Sequence, residues 1–355
     1  MSLHTFTLKG AKFKDYKSIR ENKKIIPYVK KTKTVALFTN ARDEKYIKEW
    51  AAHHLLLGFD YIFITDHLSV IPLTRVFHNF SNRVIVNTYN KKGSIKMELM
   101  NKAITTAKKY RVDWFIYLDA DEFIILNHKT ITNIKQFLQV YNPADMVGIN
   151  WLIFGSNSLD KDPPNIIGHF TKSDLILNNH IKTFVRTNEA INAFNPHFYN
   201  IKNPMNFFCY QHRMPSIAPF HEYNIPFFKA PIYIAHYMVQ SKESYIRRKC
   251  NIPRDDTGTF RGITEKEVTD IHLIHNSVEN LQPKIQYENK IGEFFNKLHG
   301  SYIIPMTPIT PILLPPPIPS ISLEDPFPAE DTTDFIDSEN TLNGNDGRIS
   351  EIHNS

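Results

Sequence analysis

The sequence of 355 residues has few cysteines and no long apolar run. Its two cysteines, Cys209 and Cys250, cannot form a disulfide framework, and neither belongs to a CxxC pair, so a reducing compartment is expected. No window approaches about 18 consecutive apolar residues. The N-terminal residues also lack the apolar core of a signal peptide. These absences predict a soluble, cytoplasmic protein without a transmembrane segment.

Acidic residues are scarce in most of the chain. Residues 321–355 hold nine Asp or Glu and one Arg, which leaves 41 basic and 27 acidic side chains, an excess of 14 positive charges, in the first 320 residues. The net positive charge of these 320 residues favours an anionic partner, for example a phosphorylated ligand. No single basic helix concentrates the charge, so we expect most of it to be solvated surface and no nucleic acid to bind.

The two ends of the chain differ in composition from its centre. Residues 1–32 are basic and weakly patterned, which predicts an N-terminal extension. Seven prolines lie between residues 305 and 319, and the acidic stretch follows them. Neither segment has the apolar density of a core, so residues 301–355 are predicted to form a disordered tail, Pro-rich and then acidic. The folded domain is predicted at residues 33–300.

Strands and helices alternate in the first half of this domain. Strands are predicted at 34–40, 60–66, 83–89 and around 114–126, and helices at 43–58, 94–110 and 130–141. Strands that are apolar on both faces and alternate with helices indicate an α/β fold with a mostly parallel central sheet. Ligands of such sheets bind at the carboxyl ends of the strands. Asp66 and Asp119 both follow apolar strands at such ends.

The most informative stretch is "WFIYLDADEFIIL", residues 114–126. Its apolar run is interrupted by Asp119, Asp121 and Glu122, and carboxylates are seldom buried without a partner. Two aspartates two residues apart at a strand end can hold a hard divalent cation that is shared with substrate phosphates. Such a cation would neutralise a departing diphosphate. In the alternative interpretation, Asp119 caps the next turn and the other two carboxylates are solvated.

Three segments in order carry a resemblance to a known family. They are "EWAAHHLLLGFDYIFITD" (49–66), "DWFIYLDADEF" (113–123) and "IAHYMVQSKESYIRRK" (234–249). Over roughly residues 34–250 the chain resembles nucleotide-sugar-dependent glycosyltransferases of the GT-A type, in the family-2-like group, and is similar to the family-92 (DUF23) proteins. The resemblance implies a Rossmann-like GT-A sandwich, with a nucleotide-sugar half at 33–126 and an acceptor half at 127–300.

The resemblance also implies a set of site residues. It implies a Mn²⁺ or Mg²⁺ site, with Asp121 as the direct ligand, Asp119 near the ribose or a metal-bound water, and His236 completing the metal shell; an imidazole ligand favours Mn²⁺. The implied contacts to a UDP- or GDP-sugar are Asn40, Asp43, Asp66, Asp119 and Lys182. The implied acceptor side comprises Trp151, Gly155 and Ser156. The chain departs from the family where Arg42 and Asp43 replace the usual Asn-Glu pair.

The implied activity is metal-dependent, inverting transfer of a sugar to a hydroxyl of a glycan, protein or lipid. Asp119 and Asp121 would be the catalytic pair. An inverting enzyme also needs a general base. Four carboxylates are candidates for that base, and the sequence does not choose among Asp174, Glu222, Asp255 and Asp256.

Three alternatives stay open on the residues alone. A sugar-nucleotide pyrophosphorylase is expected to carry a Gly-rich loop after the first strand, and "TNARDEKY" (39–46) has no glycine. A dehalogenase-type phosphatase has its DxD in the first strand with Thr or Val two residues later, where this chain has Phe123 in a later strand. A catalytically silent scaffold protein could keep the fold, although the intact Asp119, Asp121 and His236 argue against it.

Overall fold

The structure is a computed structural model that describes residues 32–299, apart from residues 33, 142 and 211. The predicted tail and all but residue 32 of the predicted extension lie outside the described residues. Within them, the strands are β1 Val35–Ala41, β2 Tyr61–Asp66, β3 Val84–Thr88, β4 Trp114–Tyr117, β5 Glu122–Leu126, β6 Met146–Ile153, β7 Lys172–Ser173, β8 Ile181–Arg186, β9 Ala190–Asn195, β10 Phe198–Ile201, β11 Phe207–Cys209, β12 His212–Arg213, β13 Ile232–His236 and β14 Val278–Glu279.

Helices interleave with these strands, and three of them lie within the segments 43–58, 94–110 and 130–141 that the apolar spacing predicts as helical. They are α1 Ile47–Leu56, α2 Leu73–Val76, α3 Lys96–Lys109, α4 Ile134–Val140, α5 Lys242–Tyr245, α6 Glu265–Leu273 and α7 Gln282–His299. A π-helical turn, Ile246–Cys250, continues α5, and short 3₁₀ turns occupy Pro204–Asn206 and Phe227–Lys229. None of the helices in the described part of the chain is long and apolar enough to cross a membrane.

A ten-stranded mixed sheet forms the core of the described region. In its first half β3, β2, β1 and β4 lie side by side and are parallel, as predicted. The second half is not purely parallel, because β8 runs antiparallel to both β4 and β6, whereas β11 and β13 run parallel to β6. No helix lies between β6 and β8, and parallel neighbours need a crossover connection. The sheet is therefore mixed.

The stretch 114–126 forms two strands with different partners. β4 pairs with β1 in the parallel half. β5 pairs with β13, which runs antiparallel to it and parallel to the last residues of β6. The turn at residues 118–121 therefore carries Asp119 and Asp121 from one part of the sheet to the other. This position explains why the apolar run resumes after the carboxylates, since every residue of β5 is buried.

Helix α1 covers the edge of β5 that faces away from β13. The Trp50 indole donates to the backbone oxygen of Glu122 at 2.8 Å, and Nε2 of His53 lies 2.8 Å from the oxygen of Ile124. Further along, the Tyr287 hydroxyl is 3.3 Å from the amide of Leu126. Side chains thus satisfy buried backbone groups that a further strand would otherwise pair with. They fix β5, and with it the carboxylate turn.

Candidate functional site

A cleft of about 310 Å³ lies where β1 and β4 end. The turn at 118–121, β6, β8 and β13 contribute walls, and the segment after the π-helical turn contributes another. The lining is rich in charge of both signs. Its cationic members are Arg42, Lys96, Lys182, Arg248, Lys249, Arg254 and Arg261, and its acidic members are Glu44, Asp119, Asp121, Asp255 and Asp256. Seven cationic and five acidic side chains leave an excess of positive charge, which favours an anionic ligand.

Asp119 is held by two buried lysines. Its Oδ1 accepts from Lys96, and its Oδ2 accepts from Lys182 at 3.0 Å. Burial would raise the pKa of the Asp119 carboxyl, but Lys182 and Lys96 outweigh it and hold that pKa well below its usual range. Burial likewise opposes the charge on Lys96, and Asp119 and Asp255 more than compensate, so its pKa lies well above the usual value. Asp119 is therefore a carboxylate and Lys96 an ammonium.

Asp121 meets His236 across the β5–β13 pair. Its Oδ1 is 3.5 Å from Nε2 of His236, and its Oδ2 accepts from Arg248 and lies 3.7 Å from Nζ of Lys249. Arg248, Lys249 and His236 overcome the effect of burial and keep the pKa of Asp121 well below its usual range. Burial lowers the pKa of His236. At neutral pH this imidazole is uncharged and has a lone pair for a ligand.

The π-helical turn directs two consecutive cations to Asp121. Arg248 also bonds Glu44, with Nε 3.1 Å from Oε2, and its side chain is only 3% exposed. Burial lowers the pKa of Lys249, the neighbour of Arg248. Single π turns inside helices occur often at functional sites, because the wider turn changes which side chains share a face. Here the turn places Arg248 and Lys249 in the same cleft.

Glu122 lies behind the turn, where it is fully buried. Its Oε2 accepts from the backbone N–H of Asp119 at 2.8 Å, and its Oε1 is 3.6 Å from Nζ of Lys182. Burial raises the pKa of Glu122 to about 8. The interpretation of Glu122 as a solvated carboxylate is thus wrong. It holds the backbone of the turn.

The segment 251–261 contributes two of the four candidate bases to the cleft. Asp255 accepts through Oδ2 from Asn40 at 2.8 Å and from Lys96 at 3.2 Å. Asp256 is bound by Arg254 through both oxygens. The backbone oxygen of Asp255 also accepts the N–H groups of Ile95 and Lys96, at 2.8 and 2.9 Å. This backbone oxygen thereby satisfies amides at the start of α3 that the side chain of a Ser or Asp cap would usually bind.

A divalent cation fits two of the three predicted ligands. Two ligands about 2.1 Å from one ion are roughly 3 to 3.5 Å apart, and Asp121 Oδ1 and His236 Nε2 have this spacing. By contrast, both oxygens of Asp119 accept hydrogen bonds from lysines. Within the described residues no group of three or more His, Cys, Asp or Glu is arranged to hold a metal. A cation here would take its other ligands from a diphosphate and water.

The structure brings part of the predicted site together and leaves part outside. Asn40, Asp119, Asp121, Trp151, Lys182, His236, Asp255 and Asp256 all line the cleft. The predicted residues that are absent from the described lining are Asp43, Asp66, Gly155, Ser156, Asp174 and Glu222. Their roles in donor binding, acceptor binding and base catalysis remain predictions.

The outlying residues have structural partners of their own. Asp66 accepts from the amides of Ser69 and Leu73 at 3.1 and 2.8 Å, and so fixes the start of α2. Asp43 accepts from the amide of Val70 at 2.7 Å.

The predicted acceptor-side and base residues outside the cleft lining are also engaged. The Ser156 hydroxyl donates to the oxygen of His272 at 2.6 Å. Asp174 lies 2.7 Å from a ring nitrogen of His275. A strand end alone therefore does not place a carboxylate in the cleft.

Of the cations that hold the two aspartates, the sequence indicated Lys182 but not Lys96, Arg248 or Lys249. Lys96 stands at the start of α3, and Arg248 and Lys249 end the segment "SYIRRK". The only local signal is that consecutive cations follow the segment containing His236. Which carboxylate each of them meets depends on pairings between distant parts of the chain.

Comparisons with known proteins give only distant likenesses. No protein-family model and no curated protein matches the sequence. Among solved structures, residues 1–349 of TarS from S. aureus with UDP have a TM-score of 0.31 at 14% identity, covering 44% of this chain and 47% of that chain. TarS with UDP-GlcNAc has 0.30 at 16%, covering 44% and 46%. HddC from Yersinia pseudotuberculosis has 0.30 at 10%, covering 49% and 89%. The chain thus spans about half the length of the solved TarS chain, residues 1–349, and at these TM-scores the likenesses carry no argument.

Proposed function

We propose that this protein is a metal-dependent glycosyltransferase of GT-A architecture that moves a sugar from a nucleotide-diphosphate sugar to an acceptor hydroxyl. One observation carries the proposal. Asp121 and His236, which are distant in sequence, lie 3.5 Å apart in a strand-end cleft whose lining has an excess of positive charge. A carboxylate and a neutral imidazole suit a divalent cation, and the surrounding cations suit the diphosphate that shares it.

The cations of the cleft would bind and orient the diphosphate. Lys182 and Lys96 are fixed by Asp119, so they keep their positions and cost little reorganisation when a phosphate arrives. Arg42 and Arg261 line the same cleft and have no ion-pair partner among the described residues. Mn²⁺ or Mg²⁺ held by Asp121 and His236 would add positive charge beside the departing diphosphate.

The acceptor hydroxyl would lose its proton to Asp255. Among the two candidate bases in the cleft, Asp256 has both oxygens engaged by Arg254. Asp255 uses Oδ2 for Asn40 and Lys96, and none of the described residues hydrogen-bonds its Oδ1. A single displacement assisted by this oxygen would invert the anomeric configuration.

Turnover of a panel of UDP- and GDP-sugars tests the proposal. Release of the nucleoside diphosphate is measured with Mn²⁺, with Mg²⁺ and with a chelator, and the anomeric configuration of the product is read by NMR. The proposal expects at least one donor to be turned over only when the cation is present, with inversion. Donor turnover that is unchanged by the chelator would refute metal dependence. No turnover and no nucleotide binding with any donor would refute the function.

A further inference from the structure

A strip of aromatic rings leads from the cleft to the surface. We call Trp151, His180 and Phe220 the aromatic strip. The Trp151 ring centroid lies 4.4 Å from that of His236, His180 stacks on Trp151 at 5.0 Å with 16° between the planes, and Phe220 is 4.6 Å from His180. Trp151 also lines the cleft, and Phe220, at the other end of the strip, is 44% exposed. The strip is therefore continuous with the proposed reaction site.

Backbone and side-chain bonds fix the strip in place. The amide of Trp151 donates to the oxygen of His180 at 2.9 Å, and His180 forms a β-bridge with Phe220. Asn178 Oδ1 lies 2.9 Å from the amide and 2.8 Å from Nδ1 of His180. Rings that are fixed before a ligand arrives lose little conformational entropy on binding.

The polar edges of the neighbouring histidines point to the class of ligand. Nδ1 of His180 faces an amide oxygen, and Nδ1 of His197 faces the oxygen of Ile181 at 2.9 Å, so each Nδ1 carries the proton and each Nε2 is an acceptor. Neither Nε2 has a protein partner among the described residues. Burial lowers the pKa of His180 to about 4 and that of His197 to about 3, so both rings are neutral. Because the Trp151 and His180 rings stack on each other, the exposed ring of the strip is Phe220, and it lies against His180, whose free Nε2 can accept from a hydroxyl group.

We infer that the exposed outer ring of the aromatic strip, Phe220, binds the apolar face of a sugar ring and that the acceptor is a saccharide. A pyranose has a face of C–H groups, which are attracted to the negative face of an aromatic ring, and a rim of hydroxyls that can donate to neutral imidazoles. A lipid chain would match the aromatic faces but would leave the imidazole acceptors unpaired, which costs binding energy. This inference rests on the proposed function, because that function makes an adjacent hydroxyl the acceptor.

Tryptophan fluorescence offers a direct test. The sequence has three tryptophans, and Trp50 and Trp114 are 0% exposed, whereas Trp151 is half-buried in the strip. A change caused by a ligand therefore reports on Trp151. The full chain is titrated with neutral trisaccharides of glucose, galactose, mannose and N-acetylglucosamine, and separately with phosphatidylcholine vesicles. Trp151→Phe identifies the source of the signal.

Two phenylalanine variants give the matched comparison. Phe220→Ala removes the outer ring of the strip, and Phe228→Ala removes a ring of similar exposure, 55%, in the Phe227–Lys229 turn outside it. We expect a saturable change with at least one trisaccharide. Its Kd should rise roughly 2- to 12-fold in Phe220→Ala and stay constant in Phe228→Ala.

Three results would overturn the inference: no change with any trisaccharide, equal Kd values in the two variants, or a response to vesicles alone. Hydrolysis of the nucleotide sugar without acceptor is measured on the same proteins. If hydrolysis persists and saccharide binding is absent, only the inference fails. If saccharides bind and no nucleotide sugar is bound or hydrolysed, the proposed function fails instead.

Discussion

Asp121 lies beside His236 because β5 and β13 pair antiparallel with Glu122 opposite His236. The residue that precedes β5 is thereby brought next to the last residue of β13. The backbone amide of Tyr237 also donates to the oxygen of Asp121 at 2.9 Å, which continues the pairing past the strand end. The proposed metal ligands are thus fixed by sheet register, and anything that loosens β5 should weaken the site.

The Trp50 indole is the side chain whose loss should loosen β5 most cleanly. Trp50→Phe keeps most of the packing and deletes the donor to the buried oxygen of Glu122. Trp114→Phe is the matched control, because Trp114 is equally buried and its indole nitrogen has no hydrogen-bond partner among the described residues. We expect Trp50→Phe to lower the free energy of unfolding by about 1 to 2 kcal/mol more than the control, measured by urea titration. Equal losses would show that this bond does not stabilise the strand.

Lys182 should contribute to stability as well as to donor binding. Its side chain is 1% exposed, and its ammonium lies 3.0 Å from half-buried Asp119 and 3.6 Å from fully buried Glu122, so Lys182→Met removes a buried cation from both. The expected loss is about 3 kcal/mol in the free energy of unfolding. Lys202→Met, which removes a 61% exposed lysine from its pair with Glu189, should cost less than about 1 kcal/mol. Similar losses in the two variants would contradict the buried network.

Glu49 should make stability depend on pH. It is buried and accepts from the amides of Ile166 and Ile167, and burial raises its pKa to about 7. Because the folded pKa exceeds the unfolded value of 4.5, the folded state holds the proton more tightly, and stability falls as pH rises from about 4.5 to 7.

Glu49→Gln should remove that dependence. Between pH 5 and pH 8 the wild-type protein should lose about 2 to 3 kcal/mol relative to Glu49→Gln, measured by urea unfolding at each pH. The exposed Glu222→Gln serves as the control, and its stability should parallel that of the wild type. A wild-type and a Glu49→Gln protein with parallel pH profiles would show that Glu49 is ionised in the fold across this range.

The two aspartates of segment 251–261 should differ in catalysis. Asp255→Asn removes the proposed base and should lower kcat by roughly 10²- to 10⁴-fold. Asp256→Asn weakens the ion pair with Arg254, can keep the oxygen that accepts from the amide of Thr257, and should change kcat by less than about tenfold. Initial rates with saturating donor and acceptor provide the comparison, and an equal or larger effect at Asp256 would assign the base to that residue.

Local patterns predicted much of the first half of the fold. The strands β1, β2 and β3 and the helix α3 follow from apolar spacing, and Asp119, to which the strand-end rule pointed, lines the cleft. Asp66 satisfies the same rule and lies outside the cleft lining, because two amides at the start of α2 take its oxygens. The rule identifies an edge of the sheet but does not say which side chains face the ligand.

Long-range pairing explains what the sequence could not predict. The antiparallel insertion of β8 places Lys182 beside Asp119, and no local pattern encodes that register. The burial of Glu122 likewise depends on α1 and β13 closing over β5. The cations of the π-helical turn could be noticed in sequence, but their carboxylate partner could not.

Comparing Asp121→Asn with a matched control tests the central claim most directly. Donor turnover is measured with Mn²⁺ for the wild type, for Asp121→Asn and for Asp270→Asn, whose side chain is 60% exposed and absent from the described cleft lining. If Asp121 and His236 hold the cation that the reaction needs, Asp121→Asn should lower turnover by at least about 10²-fold and Asp270→Asn should leave it unchanged. Wild-type turnover by Asp121→Asn would contradict the account.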